Sequence, residues 1–517
     1  MLSRSELLYP LALALVACSS TDAAPSAPTD RDGSRTDGLS DASLVDEAID
    51  GAIPDALHLA DDVADAAPDT RDAASPGTAI WQVFYDRSFA AHVEVDSRDA
   101  PIVSGTMFAD KDIRVGATLL SSHGAADIML SRVFPDGKVD WARSYGAVAD
   151  DYPVTFRLDK TDRIFMTGLY NGTGNIGGPD FPPFAGTAGR FDVSIAALTE
   201  TGDHRWSKTI NTTSDAFAGG LALDGDGDAF VLGHFIGTAT IGAAQRPSAG
   251  SWDVFLARFD DPTGAIGASL QLGGTGDERS AVALFTGSDI IAIGSFEGTV
   301  TMPTPVATQL VSAGGRDIFV ARVSLDGKMT SATSFGGTGD EQIARAVLDA
   351  DGNVVVAGSF TSPTLSVLGG DSLLDAGGND IFVACLGSDL GFRWSKRFGG
   401  DADDLARDVA VGPRGEIAVG GEFRNRITFE DRTYEAARAD ADVSEIDAFV
   451  VKLSQEGLVL WSRAVGGPAP DRTLAVALDS AGAVYAAFAF QSAVDFGLGV
   501  LTPDPDQWAS ALVKLAP

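Results

Sequence analysis

A unit of about 63 residues recurs from residue 79 to the end of the chain, and this periodicity constrains the fold more than any other feature. One clean copy reads DEQIARAVLDADGNVVVAGSF, then a variable stretch, then AGGNDIFVACLG, then GFRWSKRFGG. Its sharpest anchor is the Asp opening the third piece: Asp127, Asp192, Asp253, Asp317, Asp380 and Asp447. A degenerate seventh copy begins at Ala509. Repetition at a fixed period means one supersecondary unit stacked many times. Residues that recur in every copy are therefore expected to be architectural, and specificity to lie where the copies differ.

Each unit holds four apolar, β-branched stretches separated by turn chemistry. In the copy at 340–400 the first strand is expected at Ile343 to Leu348 and the turn at Asp349-Ala350-Asp351-Gly352-Asn353. There Gly and Asn supply the positive φ that a hairpin needs. Strands follow at Val354 to Phe360, Ile381 to Leu386 and Phe392 to Phe398, with a Gly-rich excursion between the second and third. Helical periodicity is absent. Four antiparallel strands repeated seven times predict an all-β chain, a seven-bladed β-propeller over residues 78–517. The innermost strand should be crowded, and small residues fit it: Ala281-Val282-Ala283, Ala344-Arg345-Ala346 and Ala475-Val476-Ala477. The last unit ends after its third strand, at Leu512 to Leu515, whereas a Trp-bearing fourth strand stands at the front, Ala79 to Phe84. The N-terminal strand is expected to complete the seventh blade and close the ring, removing exposed sheet edges.

FGGTGDE (335–341), LDADGN (348–353), AGSF (357–360), AGGNDIFVA (376–384) and RWSKRFGG (393–400) resemble the SBBP-type β-propeller repeat of bacterial secreted and surface proteins. The resemblance covers about 85% of the chain. It is sharpest in blades three to six; Phe488 departs from the second-strand Gly, and Ala509 from the third-strand Asp. It implies a propeller and a location outside the cytoplasm, and no single activity.

The N-terminus differs in kind. Leu7 to Val16 is an apolar run shorter than the roughly 20 residues a membrane-spanning helix needs. It ends in Leu15-Val16-Ala17-Cys18, which resembles the lipobox of bacterial lipoproteins. That resemblance implies a signal peptide over 1–17, lipid on Cys18, and, with Ser19 next, an outer-membrane destination. Residues 18–77 then read as a disordered acidic tether: positions 19–77 hold thirteen Asp and one Glu against three Arg, or −11 of the net charge of −35. Beyond Cys18 only Cys385 remains, at an apolar strand position, so no disulfide within the chain supports the fold.

Few residues suggest chemistry. Asp150, Asp215, Asp277, Asp340 and Asp403 open the innermost strands, so the propeller axis should arrange them as an acidic ring on one face. Such a ring focuses field on a cation or basic ligand; the plainer expectation is that each caps its own Gly-rich turn. Trp81, Trp141, Trp206, Trp394 and Trp461 recur on fourth strands and are expected to pack between blades. Asp224-Gly225-Asp226-Gly227-Asp228 opens like an EF-hand loop, but Ala229 and Phe235 stand where Gly and Glu are required. It reads as a hairpin turn, with Asp226 the residue left for an outside-completed Ca²⁺ site. His58, His92, His123, His204 and His234 lie at unrelated repeat positions, and no nucleophile motif is present. No catalytic residue, cofactor or metal site is expected. A pI near 4.3 excludes phosphate-tracking nucleic-acid binding.

The composite expectation is a monomeric, non-enzymatic scaffold in the cell envelope, touching membrane only through its lipid. It would bind a protein or glycan through excursions such as 170–191 and 424–445. The alternatives are a periplasm-facing scaffold of the outer-membrane assembly kind and a channel-mouth enzyme, quinoprotein-like or polysaccharide-active.

Overall fold

The computed structural model describes residues 74–517 apart from 109–111, 179–189, 438–445 and 506. The signal peptide, Cys18 and nearly all of the tether lie outside the described residues. Seven antiparallel blades follow one another around an axis, each beginning with its innermost strand. Six are four-stranded sheets, and that of blade 2 reaches six strands because the hairpin of Thr238–Ile241 and Ala244–Pro247 pairs onto its outer strand His204–Thr212. The innermost strands are Ser88–Val95, Asp151–Leu158, Ala216–Leu223, Glu278–Phe285, Glu341–Leu348, Asp404–Val411 and Asp471–Leu478, in blades 1 to 7. In blade 5 the other three are Val354–Phe360, Asp380–Leu386 and Phe392–Phe398, so the innermost strand starts two residues before the sequence expectation. Glu341 belongs to the ladder because it pairs with Phe360.

Blade 7 is built from both ends of the propeller. Ala79–Tyr85 pairs antiparallel with Ala509–Leu515, and Ala516 N donates to Thr78 O at 2.8 Å. The expected clasp is therefore present, and it supplies the fourth strand of that sheet.

Second and third strands are buried on both faces, which is why VVVAGSF and DIFVACL read as nearly continuous apolar runs rather than alternating ones. The core lies between blades. Val355 and Val383 of blade 5 share one cluster with Val409 and Val419 of blade 6, and Val83 and Tyr485 of blade 7 share another with Val103 and Met129 of blade 1. Cys385, 4% exposed, sits in this packing, and burial pushes its thiol up to about 11.

The fourth-strand Trp residues join neighbours, as their repeat position implied. Trp81 of blade 7 lays its ring on Gly137 in the outer turn of blade 1, and its Nε1 donates to Pro135 O at 2.8 Å. Trp394 does the same to Gly457 and Gln455 O of blade 6, at 3.1 Å. Gly137 has φ +89 and an added Cβ would fall 2.9 Å from the indole, so turn geometry and ring contact both select Gly.

The excursions are more ordered than their Gly content suggested. Six blades carry a small secondary hairpin or a hairpin extension there, for example Thr364–Ser366 with Ser372–Leu374 and Arg426–Phe429 with Arg432–Glu435. The excursion of blade 2 contains undescribed residues.

Trp81→Ala removes one indole hydrogen bond and the ring that covers Gly137 at the closing junction. It should lower the unfolding free energy by about 3 kcal/mol in urea titration; a loss under about 0.5 kcal/mol would show that the clasp contributes little.

Candidate functional site

Antiparallel connectivity sorts the loops onto two faces. Loops entering the innermost strands share one face with the excursions, and the hairpins leaving the innermost strands occupy the other. The entry face holds the predicted acids, and three of them bond to the preceding blade rather than to their own turns. Asp215 Oδ1 accepts Phe191 N at 3.0 Å, Asp340 Oδ1 accepts Arg316 N at 2.9 Å, and Asp403 Oδ1 accepts Asn379 N at 3.0 Å. Each donor precedes or abuts the third strand of the preceding blade, so these three acids clip one blade to the next. Asp277 Oδ2 instead pairs with Arg279 Nη2 at 3.3 Å, and Asp150 sits half-buried in the equivalent loop of blade 2.

The deeper acids are the next residues along, which sequence reading passed over. Asp151, Glu278, Glu341, Asp404 and Asp471 are 0–3% exposed. Each accepts the backbone N–H four residues back, for example Gly400 N to Asp404 Oδ2 at 2.7 Å and Gly337 N to Glu341 Oε2 at 2.8 Å. The third-strand Asp of the preceding blade is the partner across the junction: Asp380 beside Asp404, Asp317 beside Glu341, Asp127 beside Asp151. Burial, then the neighbouring carboxyl, pushes Asp151 and Asp404 up to about 8. Glu278 rises to about 7 and Asp380 to about 6, with burial the largest cause in both. One acid of such a pair stays protonated near neutrality. Gly399 packs against both Asp380 and Asp404, leaving no room for a side chain.

At the same face aromatic rings gather by the innermost strands. Arg279 stacks on Trp252 (4.6 Å) and Arg472 on Trp508 (5.1 Å), while Phe217 contacts Phe191, His234 and Trp252. Glu422 joins Arg407 and Arg472, each at 2.7 Å.

Asp224, from the segment resembling an EF-hand, caps its hairpin, its Oδ1 taking Asp226 N at 3.0 Å and Asp228 N at 2.9 Å. Asp96, Asp159, Asp349 and Asp479 repeat this cap in other blades. Among the described residues no group of three or more His, Cys, Asp or Glu is arranged to hold a metal.

The strongest concentration of charge is inside the axis. Every innermost strand carries a register shift between its third and fifth residues, such as Ala90/His92, Ile343/Arg345 and Ala406/Asp408. A bulge redirects the side chains that follow it. The seventh and eighth residues of all seven innermost strands line an axial cavity of about 440 Å³, joined among the fifth residues by His92, Arg345 and Asp408. Here the copies disagree: the fifth residues are His92, Thr155, Gly220, Val282, Arg345, Asp408 and Ala475. Arg157 Nη1 binds Glu94 Oε1 at 2.5 Å, and Arg345 Nη1 binds Thr155 Oγ1 at 3.2 Å. Arg157 Nη1 and Arg345 Nη2 stand 3.3 and 3.1 Å from His92 Nε2. Glu94 Oε1 also stands 3.4 Å from Nε2, so this ring nitrogen faces two guanidinium donors and one carboxylate acceptor. Burial, then the charge of Arg345, pulls His92 down to about 3. Burial alone would raise Glu94, but Arg157 and His92 outweigh it and hold it at about 2. Burial lifts Asp408 to about 6 against the pull of Arg345, and burial with the charge of Arg157 lowers Arg345 to about 10. Below this cluster the eighth residues form an apolar collar: Val95, Leu158, Leu223, Phe285, Leu348, Val411 and Leu478.

No family model matches the chain. It is 24% identical over 379 residues to the regulatory protein FlaEY of Caulobacter vibrioides, covering 70% of this chain and 38% of that protein. It is 20% identical over 448 residues to the uncharacterized WD repeat-containing protein L264 of Acanthamoeba polyphaga mimivirus, covering 73% and 32%. The chain thus spans about a third of the length of these curated relatives. The WD40 domain of Neurospora crassa Pan2 aligns with a TM-score of 0.37 at 10% identity, over 86% of this chain and 98% of that one. The quinohemoprotein alcohol dehydrogenase of Comamonas testosteroni aligns with a TM-score of 0.33 at 10% identity, over 84% and 76%. The chain is a β-propeller scaffold.

The junction acids bind protons in the folded chain that the unfolded chain has already released. Folding therefore takes up protons, and stability must fall as pH rises from the ordinary carboxylate range through about 8. His92 and Glu94, both held low, oppose this only below the ordinary His value of 6.5. Urea midpoints should thus decline between about pH 7 and 8.5, and Asp404→Asn should flatten the slope. An unchanged slope in that variant would remove Asp404 from the account.

Proposed function

We propose that this propeller is a non-enzymatic binding scaffold of the SBBP repeat type, held at the bacterial envelope by lipid on Cys18. Its partner, a protein or an exposed glycan, docks on the entry face. The observation that carries this reading is that the excursions vary between copies while being built into hairpins on one face. A rigid ring presenting ordered, non-repeating loops is how propellers and other scaffolds place recognition residues. The hairpin of blade 6 reaches back to the end of blade 5, where Gly399 bridges to Thr428. Trp252, stacked with Arg279 on the same face, is of a residue type enriched at binding hot spots.

Two points support binding over turnover. His92, the histidine of the axial cavity, is buried with its Nε2 among Arg157, Arg345 and Glu94, and burial with the charge of Arg345 pulls it well below the range of a general base near neutral pH. Glu94 is committed to Arg157 and to Leu158 N at 3.0 Å.

The mature protein, used as bait with and without Ca²⁺, should retain a partner from envelope extracts or surface glycans. Replacing the exposed residues of 426–435 with alanine should weaken that partner at least tenfold while leaving the unfolding temperature unchanged. Equal retention by wild type and the block would reject the entry face. Cys18→Ser should move the protein from the membrane to the soluble fraction. Protease treatment of intact cells then distinguishes a surface location, with cleavage in 18–77, from a periplasm-facing one.

A further inference from the structure

The axial cavity opens on the face opposite the excursions, and its wall is divided by chemistry. The apolar collar stands at the mouth, six of its seven members half-buried, and the charged cluster lies deeper. The volume of about 440 Å³ matches a small-molecule pocket and holds on the order of fifteen water-sized groups. Depth and polarity together select a ligand with a polar head and an apolar body.

The charges narrow the head. Arg157 is matched by Glu94 at 2.5 Å. Arg345 is not matched so closely: its Nε stands 3.7 Å from Asp408 Oδ1, beyond hydrogen-bond range. Its described hydrogen bonds go to the neutral Thr155 and His92. A guanidinium has five N–H donors in a flat fork that suits a carboxylate. Asp408 is likewise incompletely used, accepting Val476 N at 2.9 Å and Val409 N at 3.0 Å while able to accept further donors. With His92 neutral, two arginines and two acids leave the cluster without net charge. A simple anion would bring a third negative group beside Glu94 and Asp408. A simple cation would meet two guanidiniums. A ligand carrying both signs meets neither cost.

We propose that the axial cavity binds a small apolar zwitterion, a free α-amino acid with a leucine- or phenylalanine-like side chain. Its carboxylate lies on Arg345, its ammonium faces Asp408, and its side chain fills the collar between Leu348 and Phe285. The site uses residues in which the repeats differ, unlike the recurrent acids that join blades. It is independent of partner binding on the entry face.

Calorimetric titration of the mature protein with L-phenylalanine, L-leucine, 3-phenylpropionate and phenethylamine tests the assignment. An amino acid should bind below millimolar Kd, and the two analogues, each lacking one charge, at least tenfold more weakly. Arg345→Met should weaken the amino acid at least tenfold. Because that variant alters a buried cluster, Leu223→Asp serves as the second: it places a carboxylate at a half-buried collar position outside the hydrophobic clusters between blades, and should weaken binding with little change in unfolding temperature. The proposal is overturned if neither amino acid binds, if the analogues bind as well as phenylalanine, or if both variants bind as wild type does.

Discussion

Each blade of this molecule has two apolar faces, and a face is covered only by the next blade. Closing the ring is therefore what every other contact depends on, and the closing junction lies in blade 7. There Ala79–Tyr85 is hydrogen-bonded to Ala509–Leu515, so strands from opposite ends of the sequence share one sheet. The pairing covers an edge that would otherwise stand open. It also seats Trp81 on Gly137 of blade 1, the contact that other fourth-strand Trp residues make within the ring. Covalent continuity is absent at that junction, and hydrogen bonds and ring packing replace it.

The junctions also explain the acid content of the repeat. A pair such as Asp380 and Asp404, buried beside each other with backbone N–H donors and Arg397 at 3.2 Å from Asp380, would still be costly with both members ionised. Sharing a proton lowers that cost, and the Gly-Gly loop lets the carboxyls approach the backbone closely. The acidic character of this region is thus partly structural. It is distinct from the stretch 19–77, where acids recur in the sequence without strand spacing and carry −11 of the net charge.

The residues that differ most between repeats fall into two places, the loops of one face and the axis. The entry face presents hairpins of different length and sequence, and the axis presents His92, Glu94, Arg157, Arg345 and Asp408 from four different blades. Both sets depart from the repeat, and neither is required by it.

The 63-residue period, the turn at Asp349 to Asn353 and the displaced Trp81 strand were enough to specify strand order and closure, because hairpin chemistry and hydrophobic patterning act over short stretches. Recurrence in copy after copy also marks the third-strand Asp residues and the Trp residues as architectural. Two things needed the tertiary structure. Asp403 and Asp404 are adjacent in sequence and equally acidic, yet one clips a backbone N–H at the surface and the other is buried against a neighbouring blade. Only the packing of two sheets separates them. Arg345, flanked by Ala344 and Ala346, looked like one more position in a crowded inner strand. The bulge ahead of it turns its guanidinium toward His92 and Thr155, residues about 250 and 190 positions away. No periodicity records that meeting, since it arises from closing seven strands around one axis.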